Sequence, residues 1–115
     1  MTLLELMAEI RRLSARIDAG IVELNKSAIG SANAEWTYRK AKAVAWQSIE
    51  GTAKEREALV DAATADERRV RDLAEAGRQA SLEALRSRRQ QLSACQTLVS
   101  AIKVEMEHNQ YGGAA

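Results

Sequence analysis

Seven arginines lie between residues 68 and 89: Arg68, Arg69, Arg71, Arg78, Arg86, Arg88 and Arg89. Only Asp72, Glu75 and Glu83 oppose them in that stretch. A second cationic group, Arg39, Lys40 and Lys42, follows Tyr38, with Trp36 and Trp46 to either side. Guanidinium and ammonium groups interleaved with aromatic rings are the side chains that contact phosphates and stack on bases. If the two groups meet, they form one nucleic-acid or partner-binding face. The commoner arrangement is a solvated helix face with carboxylate partners, and Glu35, Glu55, Glu57 and Glu75 are near enough in sequence to supply them. The two tryptophans, ten residues apart, fall on nearly one side of a helix, which suits core anchors better than base platforms.

Other chemistry is sparse. His108 is the single histidine and lies near the end of the chain, where a solvated imidazole is favourable at a helix C-terminus. Cys95 has no histidine at helical spacing, and a thiol on an apolar seam behaves as a small hydrophobe. The carboxylates Asp66 and Glu67 stand beside Arg68 and Arg69, which compete with any cation for them. No ExxH, HExxH or CxxC spacing occurs, and Gly112-Gly113 follows a helix instead of preceding one. The expectation is a protein without catalytic residues, metal or cofactor.

The elements that must position these residues are long helices. The chain has no proline, and its apolar residues recur at steps of three and four: Leu3, Leu6, Ile10, Leu13, Ile17, Gly20, Leu24, and again Leu92, Cys95, Val99, Ile102, Met106. That rhythm is the seam of one helix packed lengthwise on another. Thr2-Leu3-Leu4-Glu5 has the capping-box form and starts the first helix. Gly30-Ser31 weakens it without stopping it, and the pattern resumes through Trp36, Tyr38, Ala41, Ala45, Trp46 and Ile49. Gly51 suits a C-terminal cap, and Thr52-Ala53-Lys54-Glu55 and Thr64-Ala65-Asp66-Glu67 are two further capping boxes. The spacing therefore predicts an all-α, long antiparallel helical hairpin, coiled-coil-like. Its arms are about residues 2–49 and 65–109, joined by a short helix or turn over 52–62. Residues 110–115 form a frayed tail. The arms would span roughly 70 Å and 66 Å at 1.5 Å per residue, so the lengths match. Leu3 then lies near His108, Ile49 near Thr64, and residues 39–42 near 70–74.

A chain of 115 residues is one domain by length. Its stripes are wider than a bare seam: Leu4, Met7, Ile21, Val22 and Ile29 flank the first helix, and Leu82, Leu85 and Leu98 the last. A lone hairpin leaves these wet, so a homo-oligomer, a dimer first, is expected through Leu4, Met7, Ile21 and Ile29. Net charge is +1, giving no overall field for nucleic acid or membrane. No apolar run approaches the roughly 20 residues of a membrane helix, and the start has no secretory-signal pattern. With a single cysteine, these features place the protein in the cytoplasm, without membrane contact.

Over about residues 38–106 the chain resembles a loose group of small helical proteins of tailed phages and prophages, encoded among DNA recombination and replication genes. The likeness rests on Tyr38 with Ala41-Lys42-Ala43, on Gly51-Thr52-Ala53-Lys54-Glu55-Arg56 with Asp61, on Leu73-Ala74-Glu75, and on Leu85-Arg86-Ser87 with Leu92-Ser93. It implies a small phage or prophage protein that assists DNA transactions or binds a host protein. Together with the residues above, the expectation is a non-enzymatic oligomeric binding protein in the host cytoplasm, an accessory factor in DNA recombination or replication. The alternative is a protein–protein module, an inhibitor of a host protein or a virion-assembly element, with no nucleic-acid contact. The Trp-x-Gly turn of small secreted helical-hairpin proteins is absent, since Gln47-Ser48 follows Trp46.

Overall fold

The computed structural model describes residues 1–112, the side chains of 111 and 112 excepted. It is all-helical: α1 spans Leu3–Ser48, α2 spans Ala53–Ala63 and α3 spans Ala65–Gly112, with α1 packed against α3 as a helical hairpin. Helix α1 runs unbroken through Gly30. Helix α3 passes the expected end at 109, because no residue before Gly112 interrupts a chain of good helix formers. Of the expected tail, 113–115 lie outside the described residues. Among the described residues, no helix is long and apolar enough to cross a membrane.

The ends of the helices follow from their capping residues. The Thr2 hydroxyl accepts the Glu5 amide at 3.1 Å. Thr52 makes the full capping box: its hydroxyl accepts the Glu55 amide and its own amide donates to the Glu55 carboxylate, both at 3.3 Å. Gly51 sits at φ +136°, a backbone conformation that L side chains rarely adopt. The third expected box is not formed. Thr64 is buried, and its hydroxyl donates back to the Val60 carbonyl at 2.8 Å instead of accepting from Glu67. Buried, the hydroxyl takes the carbonyl one turn back. Helical hydrogen bonding runs on through this point: the Thr64 amide reaches the Val60 carbonyl and the Arg68 amide the Thr64 carbonyl, each at 3.0 Å.

The connector expected over 52–62 is the short helix α2, Ala53–Ala63. The link between α1 and α2 occupies Ile49–Thr52, and Val60 of α2 is fully buried. The register moves accordingly. Thr64 shares a groove with Ala41 and Ala45 instead of lying near Ile49. Leu3 shares one with Val99 and Lys103, more than a turn short of His108.

The single domain expected from length divides by its contacts into two compact units, Met1–Val22 with Glu83–Ala115, and Glu23–Leu82. In unit 1, the Leu3-to-Gly20 column of α1 meets Leu85, Arg88, Leu92, Cys95, Val99 and Ile102 of α3, all of them buried or half-buried. Leu6, Leu13 and Leu85 are its deepest residues. Leu85 thus belongs to the seam and not to an exposed flank: it stands seven residues before Leu92 and takes the same face. Gly20 permits close approach, since a Cβ there would meet Arg88 Nη1 at 3.0 Å and Leu85 Cδ1 at 3.3 Å.

Unit 2 keeps the same spacing with different side chains. From Leu24 the α1 column continues as Ser27, Ser31, Ala34, Tyr38, Ala41 and Ala45. The opposing column is Val60, Thr64, Glu67, Arg71, Ala74, Arg78 and Ser81. Every one is buried or half-buried, so the heptad does not lapse after Leu24; its residues become small, polar or charged.

Candidate functional site

Each cationic side chain of the expected binding face has a definite place. On α1, Arg39 donates to Glu35 at 2.8 Å. Lys40 lies over the Trp36 ring at 5.0 Å and Lys42 over the Tyr38 ring at 5.8 Å. On α3, Arg71 lies over the Tyr38 ring at 4.3 Å, pairs with Asp72 at 2.9 Å, and reaches Glu35 at 3.6 Å. Arg78 pairs with Glu75 at 2.6 Å and Arg86 with Glu83 at 2.9 Å. In unit 1, Arg88 donates to the Arg16 carbonyl at 3.1 Å. Among the described residues, no carboxylate pairs with Arg68, Arg69 or Arg89, which are exposed.

Tyr38 is what brings the two cationic groups together. It is 8% exposed, and Lys42 and Arg71 both lie against its ring. The register expected for residues 39–42 against 70–74 is displaced: Arg71 meets Tyr38 and Glu35, while Lys40 and Ala41 share a groove with Thr64 and Glu67. The remaining cations do not share one face. Arg71, Arg78 and Arg88 stand at seam positions, whereas Arg68, Arg69, Arg86 and Arg89 fall on several other columns of α3. A seam arginine is spent on packing its stem and pairing its head.

The densest polar arrangement lies in unit 2 around Glu75. Its carboxylate accepts from Arg78, from the Ser31 hydroxyl at 2.9 Å and from Gln79 at 3.1 Å. These bonds, Arg78 first, hold the Glu75 carboxyl down at about 2. Glu35, Arg71, Asp72, Glu75 and Arg78 line an open groove of about 540 Å³, with Ala28, Ser31 and Ala32 from α1. The Ser27 and Ser81 hydroxyls bond across the same seam at 3.2 Å. Glu67 keeps one carboxylate oxygen, Oε2, buried without a hydrogen-bond partner. Neither the Glu75 hub nor the serine pair stands out in the sequence by residue type alone. The signal is their spacing: Ser27 and Ser31 stand three and seven residues after Leu24, where seam residues belong.

The tryptophans part company. Trp46 is half-buried, with the Arg56 guanidinium over its ring at 4.9 Å and donating to the carbonyls of Ile49 and Trp46 at 2.9 and 2.6 Å. Trp36 is 64% exposed, so it is no core anchor. It stands five residues after the seam residue Ser31 and two before Tyr38, which turns it outward. It shares this outer column with Val22 of unit 1 in sequence spacing, and in unit 2 with Ile29 and Ala43. Leu4, Met7, Ile21 and Ile29 are all exposed, and so are Val70, Leu73 and Leu98 on α3. Val70 and Leu73 begin a column in unit 2, continued by Gly77 and Ala80, that carries no charge.

Cys95 is half-buried on the unit 1 seam and His108 is exposed. Among the described residues, no group of three His, Cys, Asp or Glu side chains is placed to hold a metal ion. Comparison with protein-family models, curated proteins and solved structures found no match to this chain.

Proposed function

We propose that this protein is a non-enzymatic helical binding module that works through protein contact, docking other helices on apolar columns its own seam leaves free. One observation carries the reading. In unit 2, Ile29 and Trp36 on α1 and Val70 and Leu73 on α3 are large apolar side chains exposed at helical spacing, outside a seam that is already occupied. Exposed apolar columns on a chain of low net charge are disposed to bury against another helix. The cations support the same reading, because Arg39, Arg71, Arg78 and Arg86 already have carboxylate partners. A phosphate would have to displace those partners, at a cost in the same charge-assisted bonds it would form.

A second reading, an accessory factor of phage type in DNA recombination or replication, is favoured by Arg68, Arg69 and Arg89, which have no carboxylate partner among the described residues. Photo-crosslinkers placed singly at Ile29, Leu73, Arg68 and Arg89 separate the two. We expect crosslinks to protein at Ile29 and Leu73. Crosslinks to nucleic acid at Arg68 and Arg89, with none to protein at the apolar positions, would replace the first reading by the second.

A further inference from the structure

The apolar pattern of unit 1 outlasts the helix that covers it. Along α3 the seam column runs Leu92, Cys95, Val99, Ile102, and its next position is Met106. Val99 and Ile102 are half-buried, yet Met106 is 57% exposed. The reason is register. Leu3, the first residue of α1, lies in one groove with Val99 and Lys103, so α1 offers nothing at the level of Met106. The sequence places Met106 in the seam; in the structure it is exposed, beyond the level at which α1 begins.

Beside it is an apolar slot. Leu3, Met7, Ile10 and Val99 form its apolar lining, and Arg11 and Lys103 its cationic edges, around a volume of about 270 Å³. The segment that overhangs has the opposite character, since exposed Glu105 and Glu107 stand on either side of Met106. An apolar knob between two carboxylates matches an apolar slot between two cations. One chain cannot join them, because Met106 is two turns along the same straight helix from Val99, which lines the slot. Two chains can. Across a two-fold axis passing α3 near Lys103, residues beyond the axis in one copy face residues before it in the other.

We infer that the open end of unit 1 is a self-association site, in which Met106 of each copy enters the Leu3–Met7–Ile10–Val99 slot of the other, with Glu107 facing Arg11 and Lys103. This continues the intramolecular seam into a second chain. It rests on the reading of the protein as a helix-docking module and specifies one partner, a second copy, and one site. A contact confined to this end falls short of the roughly 1,200 Å² of a standard interface, so the dimer is weak. Its ion pairs are exposed, so it weakens further as salt rises.

Sedimentation equilibrium on the full chain, over a concentration series at low and high salt, tests this. We expect a concentration-dependent dimer. Met106→Glu should raise its Kd at least about tenfold, equivalent to about 1.4 kcal/mol, with the helical circular dichroism unchanged because Met106 is exposed. Glu107→Lys should also weaken it, and adding Arg11→Glu to that variant should restore it, a rescue that a merely misfolded chain would not show. A dimer indifferent to Met106→Glu, or a monomer at every concentration, overturns the site. Protein crosslinks at Ile29 or Leu73 from a chain that stays monomeric would leave the docking reading standing while removing this inference; absence of both would remove the two together.

Discussion

Units 1 and 2 solve the same geometric problem with different chemistry. Both pack a helix against a helix at three-four spacing, and in both the seam positions are the ones withdrawn from solvent. Unit 1 fills them with Leu6, Leu13, Ile17, Leu85 and Leu92. Unit 2 fills them with serines, alanines, Tyr38, Glu67, Arg71 and Arg78. Apolar seams hold through area removed from water, about 25 cal/mol per Å², and tolerate small shifts of register. A polar seam gains less per residue, because hydrogen bonds exchange for water at a net of only about 1 kcal/mol each. It is more exacting, since the Ser31–Glu75 and Ser27–Ser81 bonds across it form together in a single register. Unit 1 therefore supplies cohesion, and unit 2 supplies alignment.

Truncating the core of each unit is the strongest way to break this comparison. Leu13 is fully buried, and Leu13→Ala should cost about 2–5 kcal/mol through lost burial and a residual cavity. Ser31→Ala should cost about 1 kcal/mol. Urea unfolding of the two variants measures both, and equal losses would abolish the distinction.

Acid should act on the polar seam first. The Glu75 carboxyl is lowered from 4.5 to about 2, by Arg78 and then Ser31 and Gln79. A lowered carboxyl contributes stability that is complete above its unfolded value and is lost as pH falls from about 4.5 toward 2. Amide protection, taken relative to the free-chain exchange rate at each pH, should fall in residues 23–82 ahead of unit 1 down this range, and Glu75→Gln should reduce the difference. Protection lost in unit 1 first would reverse the assignment.

The smallest effect concerns glycine. At Gly30 and Gly77, both in unit 2, an added Cβ meets nothing within 4 Å. Alanine at either should stabilise by about 0.5–1 kcal/mol, the helix cost of glycine recovered. At Gly20 in unit 1 the same substitution presses on Arg88 and Leu85, so the gain is offset. Thermal melts of the three variants sharpen the contrast between a surface glycine and one at a helix contact.

The fold was legible because hydrophobic periodicity and capping residues act locally: Thr2, Gly51 and Thr52 do in space what their types demand. The unit 2 seam was legible only as spacing, since Ser27 and Ser31 carry no apolar signal. Thr64 misled because a hydroxyl three residues before a carboxylate caps a helix only where the helix begins, and here helical hydrogen bonding runs through the residue. The pairs Arg39–Glu35, Arg78–Glu75 and Arg86–Glu83 were legible, since three or four residues apart on one helix they need no partner helix. Arg71–Glu35 and Ser31–Glu75 cross the seam, so they depend on the register, and the register depends on how tightly Ile49–Thr52 turns.

That turn also sets an order of events. Arg56 reaches back only seven and ten residues, to the carbonyls of Ile49 and Trp46. Arg88 must find Arg16 across 72 residues. Closing the longer separation costs about 2 kcal/mol more in chain entropy. The hairpin is thus disposed to close from its turn outward, as a zipper does, with the local contacts forming early and the distant ones late. Its polar half is drawn together first, and each pair formed shortens the search left to the next. The Arg56 clasp comes first and the Ser31–Glu75 bond, across 44 residues, after it; the leucine pairs of widest separation, the residues most prone to stick in the wrong place, are enclosed last.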